Sequence, residues 1–268
     1  MKNVFTFLLL LFSLLCNGQS PKLFTTDKEL SSSLINQIYQ DRNGFIWIAT
    51  EDGLNRYDGA KFTIYKHEPN NEHSLAHNFV RTVFEDSKGH LLIGTYIGIQ
   101  MYDPATDNFT PLAKLEDTGE TLESNINSFI ERKNGEIWVS GNVLCKLDIN
   151  DHLLTVRKVD IAVTSPGSLF EDKKQNVWMA KGEEGVYQLT PDNQLTLHLS
   201  KDNGYVKSIC EDQRGNIYVG SIRKGLFIYD KERKTFVPID LKEKGELPVC
   251  FLYSGIPNEL YIGTDGKG

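Results

Sequence analysis

Several things are scarce in this 268-residue chain, and each scarcity removes a class of protein. It has four cysteines, widely spaced, and none forms a C-x-x-C pair, so neither a zinc knuckle nor a dithiol redox site is encoded. If Cys16 leaves with a leader peptide, Cys145, Cys210 and Cys250 remain, an odd set that reads as small buried hydrophobes and not as a disulfide framework. No run of five or more like charges occurs, and the net charge of −7 is spread, which gives no electrostatic reason to bind nucleic acid or an anionic membrane. Apolar runs are short. The longest, Val4 to Leu15, is broken by Thr6 and Ser13 and falls below the ~20 residues of a membrane span.

Catalytic signatures are missing too. There is no G-x-x-x-x-G-K-[ST] loop, no G-x-G-x-x-G after a strand, no G-x-S-x-G elbow and no H-E-x-x-H pair. Gly182-Glu183-Glu184-Gly185 has no helix behind it to hold a phosphate, and Ser165-Pro166-Gly167-Ser168 reads as a loop. His67, His73 and His77 fall in one polar loop without the fixed spacing that presets a zinc site. Acidic side chains are many, but no pair can be singled out for glycoside hydrolysis. No cofactor and no metal are expected.

What is present begins with the leader. Lys2, the apolar run and the small stretch Cys16-Asn17-Gly18 describe a secretory signal peptide over 1–18, with export of 19–268 to the periplasm. Lipidation at Cys16 is the alternative, disfavoured by the bulky Leu15 before it.

The rest is a repeat. Gln40-Asp41-Arg42-Asn43-Gly44-Phe45-Ile46-Trp47-Ile48-Ala49-Thr50 returns as Glu85-Asp86-Ser87-Lys88-Gly89-His90-Leu91-Leu92-Ile93-Gly94-Thr95. Further copies surround Gly135, Gln175, Gly215 and, more weakly, Asn258. The turn position advances by 45, 46, 40, 40 and 43 residues, the period of propeller blades. Each unit reads as four short strands joined by turns, for example Leu34–Gln40, Phe45–Thr50, Leu54–Tyr57 and Lys61–Lys66, with Asp58-Gly59 as a two-residue type I′ hairpin. The fold expected is an all-β propeller of four-stranded antiparallel blades, with units at about 34–66, 75–112, 125–159, 166–199, 204–239 and 247–268, the last incomplete.

Two columns recur. Three residues after the turn stand Trp47, Leu92, Trp138, Trp178, Tyr218 and Tyr261, read as packing between blades rather than as stacking platforms for a ligand. Three before it stand Asp41, Asp86, Arg132, Asp172, Asp212 and Gly255; the carboxylates there are expected to hold the hairpin, because the calcium-loop ladder of oxygen ligands is absent.

The unit Ile35 to Gly59, with its Asp41-Arg42-Asn43-Gly44 turn and Gly53-Leu54 strand start, resembles the two-component regulator propeller repeat. So does the link His67-Glu68-Pro69-Asn70-Asn71-Glu72-His73-Ser74-Leu75, and the resemblance runs through roughly residues 24 to 268. It implies the periplasmic sensor region of a Bacteroides-type hybrid histidine kinase. Parents of that kind carry seven-bladed propellers, bind oligosaccharides and act as homodimers. It also implies truncation, since the pattern after Gly268 calls for a further strand; Leu23 to Thr25 would then lend a strand to a closing blade that has no partner, leaving open edges.

Propeller loops that join the last strand of one unit to the first of the next, or the second strand to the third, offer Asn78, Arg81, Tyr96, Asn142 and Arg223 as ligand-binding candidates by fold analogy. The reading that follows is a non-catalytic, oligosaccharide-sensing propeller segment, whose partners are the remaining propeller and kinase regions of its receptor. A secreted scaffold and a propeller lyase or glycosidase stand as alternatives.

Overall fold

The computed structural model describes residues 23–26, 29–199, 204–241 and 247–266; the expected leader at 1–18, with Cys16, lies outside them. Among the described residues every regular element is a strand, and no helix is long and apolar enough to cross a membrane. The strands form antiparallel sheets in chain order. The first is Ile35–Gln40, Ile46–Thr50, Gly53–Tyr57 and Phe62–Tyr65, each paired with the next. The next four begin with Val80–Glu85, Ser128–Glu131, Leu169–Glu171 and Val206–Glu211, and a two-stranded sheet begins with Val249–Tyr253. Successive first strands touch one another, so the sheets converge on them as the blades of a β-propeller do.

The turn column explains why the chain folds back where it does. Gly44, Gly89, Gly135 and Gly215 take φ of +89°, +97°, +82° and +77°. Gln175 and Asn258 hold the same left-handed conformation at +67° and +61° without glycine's freedom. The turn at Asp58 differs from the expected hairpin. It spans four residues, Asp58 to Lys61, only Gly59 among them has positive φ, and the Asp58 carboxylate accepts the N–H groups of Ala60 and Lys61 at 2.8 Å. That side-chain bond closes the loop in place of the two left-handed residues a type I′ turn requires.

Packing is between sheets. Alternate residues of each first strand face opposite neighbours, which the period of two dictates. Val83, Phe129, Leu169, Ile209 and Leu252 face the preceding sheet and are 1–7% exposed. Tyr39, Phe84, Ile130 and Phe170 face the following one, where Phe84 and Phe129 stack at 6.0 Å. Each gap is filled by its own core, with Trp47, Leu92, Trp138 and Trp178 at 0–3% exposure. The two outermost faces break the pattern: Ile38 is 62% exposed and Tyr261 49%, although their columns are buried elsewhere. The expectation that Tyr261 packs like its counterparts is therefore corrected; no described sheet lies against it.

Two further differences concern connections. The third sheet gains a fifth strand, Lys114–Leu115, running parallel to Leu153–Lys158 and supplied by the long link from the second sheet. Leu23 to Thr25 form no strand. Phe24 instead packs its ring on Tyr57 and Phe62 at 5.2 and 5.0 Å, on the outer edge of the first sheet.

Candidate functional site

The recurring carboxylates are fully engaged. Asp41 accepts the N–H groups of Asn43 and Phe45 at 2.9 and 3.0 Å and the indole N–H of Trp47 at 2.8 Å. Asp172 does the same for Lys174, Asn176 and Trp178, and Asp212 takes Arg214, Asn216 and the Tyr218 hydroxyl. Asp86 binds Lys88 and His90, including the His90 ring at 2.7 Å. The buried indole needs an acceptor, and the carboxylate supplies it while tying the turn. In the third sheet Arg132 stands in this column. There Glu136 accepts the Trp138 indole at 3.1 Å, Lys146 donates to Glu136 at 2.6 Å, and Arg132 lies over the Trp138 ring at 4.5 Å. The bond from Lys146, helped by Asn134 and Trp138, holds the Glu136 carboxyl at a pKa of about 2.

A second acidic column joins the sheets. Glu85 accepts the backbone N–H of Arg42 at 2.8 Å, Glu131 that of Ser87 at 2.6 Å, Glu171 that of Lys133 at 2.7 Å and Glu211 that of Lys173 at 3.1 Å. Each glutamate directly precedes its sheet's turn and reaches back to the turn before. The sequence displayed the column, but only the radial arrangement shows what it binds. These glutamates are joints between neighbouring sheets.

At the outer rim of the first two sheets, Arg56 is held among Phe45, Trp47, Tyr65 and Tyr102, with ring centroids 5.2–5.7 Å away, and pairs with Asp107 at 2.9 Å. Burial opposes the Asp107 charge, but bonds from the Tyr102 and Tyr65 hydroxyls and from Arg56 outweigh it and hold its pKa below the usual carboxylate range. Burial and the bond to Asp107 raise both tyrosines. The cluster is closed by its own members and ties one sheet to the next. Burial likewise pushes the Cys145 and Cys210 thiols up to about 11, which makes them poor nucleophiles.

The opposite ends of the strands, where the links enter, hold the ligand-binding candidates. Asn78 is consumed locally: it donates to Asp52 at 3.1 Å, accepts from the His67 N–H at 2.7 Å, and its carbonyl takes the Gly53 N–H at 2.7 Å. Asn142 sits apart, on an open cleft of 730 Å³ shared with Lys114, Glu120 and Lys158. Arg223 is exposed and pairs with Glu183 at 3.3 Å. Only Arg81 and Tyr96 come together. Tyr96 is 54% exposed, with its ring 5.6 Å from His77 and 6.1 Å from Phe79, and its N–H bonds the Phe79 carbonyl. Arg81 lies 5.8 Å from the same Phe79 ring and donates to Asn127 at 3.0 Å. Phe79 and Asn127 were not legible as partners because they belong to different sheets' approaches. His67 and His73 point elsewhere, to the carbonyls of Leu75 and Phe109, and among the described residues no metal-ligating group of three forms.

Residues 29–52, 74–96 and 200–223 match the family described as two component regulator propeller. Those three stretches carry the two component regulator propeller repeat. The three matched stretches take in the first-strand starts of the first, second and fifth sheets, and the second of them contains Phe79, Arg81 and Tyr96. Histidine kinase P4 of Formosa agariphila is 37% identical over 83 residues, which are 28% of this chain and 6% of that protein. The extracellular domain assigned to the hybrid two component system BT3049 of B. thetaiotaomicron superposes with a TM-score of 0.59 at 19% identity, over 92% of this chain and 41% of that one. Virginiamycin B lyase of Staphylococcus aureus superposes at 0.65 with 12% identity, over 91% and 80%. The propeller-repeat chain thus spans a small share of its kinase relative and less than half of the extracellular domain, and the structural likenesses establish the propeller fold.

Proposed function

We propose that this chain is an extracytoplasmic propeller segment of a two-component signalling receptor, which binds an oligosaccharide and carries no catalysis of its own. The observation that carries the reading is the repeat itself, matched in three stretches, together with a relative that is a histidine kinase. The likeness to an extracellular domain and the leader-like first 18 residues support a place outside the cytoplasm. The half-exposed Tyr96 ring and Arg81, both neighbours of the Phe79 ring, support sugar binding, because a pyranose face stacks on an aromatic ring while planar polar groups fix its hydroxyls. On this reading the partners are the remaining propeller and kinase regions of the receptor and a second copy of the chain.

Signalling requires that ligand shift an equilibrium, so a bound sugar has to favour one arrangement of the receptor over another. Thermal-shift screening of the chain against an oligosaccharide library tests the binding, with a rise in Tm expected for a subset. Chromatography of the same mixtures tests the absence of turnover. Unchanged melting across the library would favour a scaffold, and appearance of shortened or unsaturated sugars would favour a propeller lyase or glycosidase.

A further inference from the structure

Four of the six first strands, those of the first, second, fifth and last sheets, share an irregularity at the end where the links enter. In the first sheet Ile35 pairs with Thr50 and Gln37 with Ala49, which leaves Asn36 as an extra residue. Arg81 is the extra residue between Val80 and Thr82, Lys207 between Val206 and Ser208, and Cys250 between Val249 and Phe251. A β-bulge of this kind frees one side chain from the alternation of the ladder and re-aims it. Asn36 accordingly reaches across to the Val80 carbonyl at 2.8 Å, and Arg81 reaches across to Asn127.

Arg81 differs from Arg42, Arg56 and Arg132 in its partner. Arg42, Arg56 and Arg132 pair with Glu85, Asp107 and Glu171 at 2.6–2.9 Å. Arg81 is half-buried, and among the described residues no carboxylate pairs with it. Its Nη1 donates to the Asn127 side chain, and Asn127 is itself held by donating to the Pro166 carbonyl at 3.1 Å. The guanidinium is therefore preset by a polar chain across three sheets and by the Phe79 ring, while its Nε–Nη2 edge has no acceptor among the described residues. That edge is the fork that takes a carboxylate through two parallel hydrogen bonds. The Phe79 ring lies 5.8 Å from that guanidinium and 6.1 Å from the exposed Tyr96 ring, so both groups share it as a neighbour.

Resting on the sensing reading above, we infer that this site takes an acidic oligosaccharide: the uronate carboxylate sits on the free edge of Arg81 and the adjoining sugar face on Tyr96. A neutral sugar leaves that cation without its counter-charge, so charge is the selecting feature. In a chain of net charge −7, an anionic ligand is admitted only where such a cation is held ready.

The test is calorimetric titration of the chain with a galacturonate trimer and with its methyl-esterified form, the same sugar without the charge. The acid is expected to bind at least about tenfold more tightly, with the advantage shrinking as salt is added. Arg81→Gln is expected to abolish the difference, and Tyr96→Ala, at an exposed ring, to weaken both forms while melting stays unchanged. Should Arg81→Gln lower the melting temperature, Arg81→Lys, which keeps the charge without the fork, is expected to bind the acid more weakly while still preferring it to the ester. Equal affinity for the two forms, insensitive to Arg81, overturns the assignment and leaves oligosaccharide sensing standing. Binding to neither form nor to any member of the library overturns both.

Discussion

Replacing Ile209 and Ile38 separately with alanine puts the radial packing to a direct test. Both isoleucines stand three residues before the turn-holding aspartate of their sheets, and both point towards the side of the preceding sheet. Ile209 is 7% exposed within the core shared with Trp178, Val186 and Phe227, whereas Ile38 is 62% exposed. Removing three buried carbon atoms from Ile209 forfeits their transfer energy and leaves a cavity, a cost of roughly 2–5 kcal/mol. The same deletion at Ile38 takes away surface already in water and costs within about 0.5 kcal/mol. In urea, with an m-value of roughly 2–3 kcal/mol/M, the Ile209→Ala midpoint falls by about 1–2 M and the Ile38→Ala midpoint hardly moves. Equal losses at the two positions would refute the reasoning, because they would mean that something covers the first sheet in solution. A loss at Ile38 that grows with protein concentration would identify that cover as another copy.

Other perturbations follow from single contacts. Asp41→Ala strands the Trp47 indole and two backbone N–H groups, and is expected to cost roughly 2–5 kcal/mol with a change in tryptophan emission on mild denaturation. Gln175→Gly relieves a left-handed residue at φ +67° and is expected to stabilise by about 0.5–1 kcal/mol in the same urea assay, while Gly215→Gln destabilises by a similar amount. The Glu136 carboxyl is depressed from 4.5 to about 2, so its contribution is present above pH 4.5 and disappears as pH falls through 2; Lys146→Met is expected to shrink the acid sensitivity of unfolding in that window. Cys145 and Cys210, with thiols raised to about 11 by burial, are expected to react with a disulfide reagent at pH 8 only after unfolding.

The architecture was legible wherever one unit repeats the next. A turn needs a left-handed residue and a carboxylate needs donors two and four residues on, so Gly44 with Asp41, and Gly215 with Asp212, announce themselves locally. Even Arg132, a departure in its column, is understandable once Glu136 is seen four residues later beside Trp138. Contacts across sheets were not legible. Glu131 and Ser87 are 44 residues apart and nothing in either neighbourhood declares the other. The parallel strand Lys114–Leu115 arises in a link whose two paired residues carry no strand pattern. Exposure of Ile38 and Tyr261 depends on what stands opposite, which a column of similar residues conceals. Of the candidate site, Arg81 and Tyr96 were picked by loop position alone. The bulge that turns Arg81 outward and the Phe79 ring that brings the two together required coordinates.

The glutamate joints give the molecule a grain. Each one fastens a sheet to its immediate predecessor through a backbone amide, so tension applied along the chain meets a series of like clasps rather than one keystone. Losing Glu171 would open a single seam and spare those on either side, and the break would travel no further than the two sheets it borders.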